Sequence, residues 1–169
     1  MRTRLFILMG VAGCGKTSIG EDLAARLNGI YIDGDDHHPK SNIEKMASGQ
    51  PLSDTDRWPW LKQVAQSMSA QNGLVFAGCS SLKKSYRSFL IQSAKEPIQF
   101  IYLEGSKDLI GERMKTRDGH FMPPSMLDSQ FATLEVPDRE ENAIFVDISG
   151  TKIQVVDLIE AMLRERFLS

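Results

Sequence analysis

The stretch Gly10-Val11-Ala12-Gly13-Cys14-Gly15-Lys16-Thr17 constrains this chain more than any other. It follows the apolar run Leu5-Phe6-Ile7-Leu8-Met9 and precedes Ile19, Leu23 and Leu27 at helical spacing, so it reads as the turn between a buried strand and a helix. Its pattern is G-x-x-x-x-G-K-[ST]. Glycines at these positions let successive backbone N–H groups curl around a phosphate, and the helix N-terminus adds partial positive charge. Lys16 can reach the outer phosphates of a nucleoside triphosphate, and the Thr17 hydroxyl can bind magnesium.

Downstream, short apolar runs alternate with helical stretches. The first helix stops at Asn28-Gly29 and the strand Ile30-Tyr31-Ile32 runs into Asp33-Gly34-Asp35-Asp36-His37-His38-Pro39. A short polar helix is expected from Pro39 to Gly49, a charged turn from Ser53 to Arg57, and a helix opening at Pro59 and running to about Asn72. Leu74 to Ala77 reads as a strand and Leu82 to Ala94 as a helix. Ile98 to Leu103 is a strand, and Lys107 to Arg117 a helix with acidic residues early and basic ones late. Asp118 to Pro124 is turn-rich. Ala143 to Asp147 gives a last strand, and Thr151 to Phe167 a helix presenting Ile153, Val156, Ile159 and Leu163. Five strands alternating with helices predict a single α/β domain over residues 1–169, its parallel sheet covered on both faces. Ligands of such sheets bind at the carboxyl ends of the strands.

Several residues near those ends suit phosphoryl transfer. Asp33 and Asp35 lie two apart at a strand end and would share a face if both were extended. One carboxylate could hold magnesium while the other accepts a hydroxyl proton; a polar turn is the alternative. Adjacent His37 and His38 point apart on an extended segment, which disfavours a shared metal, so His38 is read as structural or substrate-lining. Arg113 and Arg117 are four apart and project from one helix face toward Gly119-His120-Phe121, where they would serve a water-excluding flap or only complement the helix dipole. Lys83 and Arg87 form a second such pair, either anion-binding or solvated. Trp58 and Trp60 are expected to pack.

Together these segments resemble the P-loop gluconokinases, related to shikimate and adenylate kinases. The resemblance rests on the phosphate loop, Asp33-Gly34-Asp35 with His38-Pro39 and Asn42, and Pro51-Leu52 with Asp54, Asp56-Arg57 and Pro59-Trp60-Leu61. It continues through Cys79-Ser80, Leu82-Lys83, Tyr86-Arg87, Arg113, Arg117, Gly119-His120-Phe121, Ser129-Gln130-Phe131 and Leu134-Glu135. It implies a P-loop kinase fold with strand order 2-3-1-4-5 and a lid at about residues 117–135. It also implies transfer of the ATP γ-phosphate to the 6-hydroxyl of D-gluconate with Mg2+ as cofactor, in a homodimer.

Carried over by position, Lys16, Asp35 and Arg117 are the catalytic set, with Asp35 the base. ATP falls to Gly10 through Thr17 with Ser18, Arg113 and Thr151, and magnesium to Thr17 and Asp33. Gluconate falls to Asp35, His38, Arg57, Ser80, Lys83, Arg87 and His120. The chain departs from the family pattern at Cys14, at Thr17-Ser18, at Ser81 in place of alanine and at Ser88 in place of aspartate.

The bulk composition narrows the partners. A net charge of -2 gives no electrostatic reason to expect nucleic acid or an anionic membrane, and no apolar run is long enough to span a bilayer. Met1-Arg2-Thr3-Arg4 leads straight into the first strand without a signal-peptide pattern, so a cytoplasmic protein with Cys14 and Cys79 as free thiols is expected. Two rival functions remain: a P-loop kinase for another polyhydroxylated acid, and a nucleotide switch. Phe145-Val146-Asp147-Ile148-Ser149 offers no N/T-K-x-D guanine reader, which speaks against the switch.

Overall fold

Strand β1, Leu5–Met9, is buried along its whole length, as expected of a strand paired on both edges and covered on both faces. The structure, a computed structural model, describes residues 2–115 and 124–169. Helix α1 (Lys16–Leu27) leads to β2 (Ile30–Asp33), a 3-10 turn (Gly34–His37), α2 (Lys40–Ala47), α3 (Asp54–Ser69), β3 (Val75–Gly78) and α4 (Lys84–Ala94). The remainder comprises β4 (Ile98–Glu104), α5 (Lys107–Lys115), α6 (Pro124–Thr133), β5 (Ile144–Asp147) and α7 (Lys152–Arg166).

The five strands form one parallel sheet in the order β2-β3-β1-β4-β5. Residue alternation along β1 divides the core in two. Phe6 and Leu8 join the apolar residues of α1 and α7, while Leu5, Ile7 and Met9 join those of α3 and α4. The register sets Leu8 and Asp33 both opposite Gly78, so the ends of β1, β3 and β2 arrive at one edge.

Two expectations are corrected. The charged stretch from Ser53 to Arg57 is the first turn of α3, because Ser53 accepts the Asp56 N–H and the Asp56 carboxylate accepts the Ser53 N–H. Pro59 therefore lies inside the helix, on its exposed side, where the bond it cannot make would have gone to the Thr55 carbonyl. On α7, Ile153 is 64% exposed, and Val155 packs inward with Val156, Ile159 and Leu163.

The lid is expected at about residues 117–135. Its second half is helix α6, docked on the core through Leu127, 6% exposed, with Phe131 and Leu134 packed beside it. The first part of that segment lies outside the described residues.

Candidate active site

The phosphate loop is shaped by three glycines with positive φ: Gly10 at 145°, Gly13 at 84° and Gly15 at 100°. A Cβ on Gly10 would stand 2.9 Å from Cys14 Sγ. Val11 and Cys14 turn their side chains into the core. Cys14 is thus a small core residue, its Sγ also accepting a weak hydrogen bond from Lys16 Nζ at 3.8 Å. At the start of α1, helix geometry leaves the N–H groups of Gly15, Lys16, Thr17 and Ser18 without intrahelical acceptors; the first such bond is Ile19 to the Gly15 carbonyl, 3.0 Å. Lys16 Nζ lies across the loop and donates to the Gly10 and Val11 carbonyls, each at 3.0 Å. Gly10 donates its N–H to the Ser80 carbonyl at 3.2 Å, tying the loop to the turn after β3.

Asp33 and Asp35 do not share a strand face. Asp33 ends β2, and its carboxylate accepts the Asp35 N–H at 3.0 Å, capping the 3-10 turn that carries Asp35 into an exposed position. Burial raises the Asp33 carboxyl above the usual range. Tyr31, two residues earlier on the same face, donates its hydroxyl to Thr17 Oγ1 at 3.4 Å, and burial pushes its own pKa up to about 12. The tyrosine is admitted by glycines. A Cβ on Gly20 would meet its ring at 2.6 Å, and one on Gly78 its hydroxyl at 2.4 Å.

Tyr31 therefore touches Thr17 and shares its strand face with Asp33. Asp33 and Thr17 are hard oxygen donors of the type magnesium takes. Among the described residues no cluster of three or more His, Cys, Asp or Glu side chains could hold a metal by itself. An ion here would draw its remaining oxygens from phosphate and water.

His38 stacks on Trp60 with 4.2 Å between ring centroids, and Trp60 Nε1 donates to the Gly34 carbonyl at 2.7 Å. Buried Asn42 donates Nδ2 to the Asp56 carbonyl at 2.9 Å, which fixes its amide orientation, and the same nitrogen lies 3.3 Å from His38 Nδ1. His38 Nδ1 therefore accepts, and the proton of the neutral ring sits on Nε2. Burial lowers the His38 pKa, favouring that neutral form. Neighbouring His37 turns instead to the Asp33 carbonyl.

Beyond His38 lies a cationic cluster. Lys83 pairs with Asp54 at 3.2 Å, Tyr86 donates to Asp54 at 2.5 Å, and Arg57 donates to the Leu52 carbonyl and to the Tyr86 hydroxyl at 2.7 and 3.3 Å. Arg57 and Lys83 both flank the Tyr86 ring, with centroid distances of 5.5 and 5.6 Å. Tyr86 and Asp54 organise both cations, yet the sequence reading gave neither a role in the site. Arg57 and Lys83 are brought together; Arg87 is not. The residue is 1% exposed, and its five guanidinium N–H donors are all used: two on Glu141, and one each on the carbonyls of Ser81, Leu82 and Glu135. The expectation that Arg87 binds gluconate is corrected to a structural role, because no donor remains for a ligand. Ser88, next on α4, is exposed.

Across the loop, Arg113 donates to the Gly150 carbonyl at 3.0 Å, beside Thr151, which caps α7 by accepting the Gln154 N–H. The expected positions of Arg113 and Thr151 are thus adjacent. Arg117 and His120 lie outside the described residues.

Known proteins share much of this sequence and its fold. A family model described as AAA domain matches residues 7–123. The thermosensitive gluconokinase of Escherichia coli is 48% identical over 85% of this chain and 79% of its own, and the gluconokinase of Gluconobacter oxydans is 42% identical over 97% and 92%. The chain belongs to the gluconokinase family. A crystal structure of a gluconokinase from Sinorhizobium meliloti superposes with a TM-score of 0.89 at 40% identity, covering 99% of this chain and 96% of that one. Shikimate kinase from Aquifex aeolicus, at 14% identity and a TM-score of 0.60, shares the fold alone. Within the gluconokinase frame, the D-x-D-R segment of α3 is a set of staples: Asp54 ties α3 to α4, and Asp56 ties it to α2 through Lys45 at 2.6 Å.

Proposed function

We propose that this protein transfers the γ-phosphoryl group of ATP to the 6-hydroxyl of D-gluconate, giving 6-phospho-D-gluconate and ADP. The observation that carries the reading is the convergence, at the carboxyl edge of one sheet, of a phosphate loop and a cluster of Arg57, Lys83 and Tyr86 held by Asp54. A triphosphate needs the first, and an acceptor with its own carboxylate calls for the second. Gluconokinase relatives at 48% and 42% identity support gluconate as that acceptor.

In this reading Gly10 through Ser18 cradle the phosphates with backbone N–H groups, and Lys16 exchanges its carbonyl partners for phosphate oxygens. Arg113 and Thr151 border the nucleotide. Arg57 and Lys83 hold the gluconate carboxylate, while His38 Nε2 and the Ser80 hydroxyl line the polyol. Asp35 accepts the 6-hydroxyl proton as that oxygen bonds to the γ-phosphorus and the bond to the β–γ bridging oxygen breaks. Magnesium, held through Thr17 and Asp33, would neutralise charge on the β- and γ-phosphates. By resemblance, Arg117 serves the moving phosphoryl group and His120 the acceptor. The protein is read as a cytoplasmic homodimer, which sedimentation at working concentration checks.

The deciding experiment is an ADP-coupled assay across sugar acids and shikimate, on the wild type and Asp35→Asn. Gluconate should be the preferred acceptor, and the variant should lose about 10²–10⁴-fold in kcat. Turnover with another acid and none with gluconate would overturn the acceptor. A change confined to KM would make Asp35 a binding residue only.

A further inference from the structure

Helix α6 touches both halves of the site. Near its middle, Gln130 Oε1 accepts the Ala12 N–H of the phosphate loop at 2.6 Å. Just past its end, Glu135 is fixed to the start of α4 by three bonds. Its N–H donates to the Leu82 carbonyl at 2.8 Å, its carboxylate accepts the Lys84 N–H at 2.9 Å, and its carbonyl accepts from Arg87 at 2.9 Å. One turn before Gln130 the helix is seated by Leu127, and Leu134, next to Glu135, packs against both halves of the core. The residue gripped between Leu82 and Lys84 is Lys83, and Tyr86 lies one turn further along α4.

We propose that α6 is a rigid strut, with Gln130 and Glu135 as its positioning residues, through which occupancy of the phosphate loop sets the affinity of the acceptor cluster. Ala12 lies in the part of the loop before Gly13, and its N–H is held by a side chain rather than by the loop itself. A triphosphate that draws the loop inward moves this N–H, and Gln130 follows because its oxygen is the acceptor. Thr133 ends the helix within a turn of Gln130, and the Leu134 N–H still donates to the Gln130 carbonyl at 2.9 Å, so the movement is handed on to Glu135, the next residue. There, two backbone groups of the α4 start and the Arg87 guanidinium are attached. Lys83 and Tyr86, which share Asp54, are re-aimed as a unit. Coupling carried in this way is reciprocal, so gluconate tightens nucleotide binding by the same factor.

The inference rests on the assignment of nucleotide and acceptor given above. Its test is calorimetric titration of gluconate into the protein with and without a non-hydrolysable ATP analogue, for wild type, Gln130→Leu, Glu135→Ala and the double variant. In the wild type the analogue should tighten gluconate by about 5-fold or more, the lower end of ordinary coupling. Each single variant should reduce that ratio to below about 2, and the double variant should reduce it no further, as two ends of one strut require. A residue of merely structural importance would lower the melting temperature and weaken both ligands while leaving the ratio intact. A wild-type ratio of one, or a wild-type ratio retained in either single variant, overturns the strut. Failure of gluconate to bind the wild type at all overturns the acceptor assignment beneath it, and is told apart by the first titration.

Discussion

Arg57, Lys83 and Arg87 carry the same charge and lie within one stretch of chain, yet they differ in what they are able to do. Lys83 is a third exposed and shares its carboxylate with Tyr86, so it can be redirected to a ligand. Arg87 is enclosed with Glu141 at 2.6 Å and has every donor engaged. Replacing Arg87 by Ala would strip a largely buried carboxylate of its only cation among the described residues, leaving it the Asp138 N–H, and would remove the guanidinium donor from the Ser81 and Glu135 carbonyls. It should cost about 3–5 kcal/mol, read as a lower urea midpoint. Lys83→Ala should leave the urea midpoint nearly unchanged and raise KM for gluconate, read in the same ADP-coupled assay. If Lys83→Ala unfolds the protein and Arg87→Ala does not, the two roles have been assigned the wrong way round. Spacing alone could not separate them, because residues four apart on a helix share a face and the sequence does not say whether that face meets solvent or Glu141.

At the scale of elements, the sheet and its order were legible because each β-run is short, apolar and bounded by turn residues. Helix α6 was not. Pro123-Pro124 and the glycine before them mark a break, and only Leu127, Phe131 and Leu134 betray an apolar stripe. The capping box at Ser53 and Asp56 was equally readable as a charged turn until Lys45 and the α3 backbone gave it partners. Asp35 owes its place to the junction of β2 and the 3-10 turn, where Gly34 lies against the Gly78 carbonyl. A Cβ on Gly34 would stand 2.5 Å from that oxygen, which belongs to the backbone and cannot step aside. Gly34→Ala should therefore destabilise the protein by about 1–3 kcal/mol and lower kcat by displacing Asp35. Measured stability and turnover equal to wild type would mean the junction has slack that the packing does not show.

For the molecule as a whole, acid should act partly through His38. Its folded pKa is depressed by burial against Trp60, while the unfolded chain titrates near 6.5. Below that value the unfolded state binds a proton that the folded state resists, so this contribution is present above pH 6.5 and is lost as pH falls through the lower, folded value. Urea midpoints between pH 7.5 and 5.5 should fall for the wild type, and part of that slope should vanish in His38→Gln. Identical slopes would remove His38 from the acid response. The stack on Trp60 and the Asn42 contact are what make the effect possible, and neither could be read from the H-P-x-x-N pattern without the fold that folds α2 against α3.

The two cysteines make the protein its own stopwatch. Cys14 and Cys79 are both 2% exposed, one in the phosphate loop and one in the turn beside it, and burial pushes the Cys79 thiol up to about 11. A maleimide can reach either sulfur only when that corner opens, so the labelling rate counts openings of the loop region and not of the molecule at large. A saturating ATP analogue should slow labelling of both thiols together. Mass spectrometry of the labelled peptides would time the opening of this corner in the native chain, without a single introduced probe.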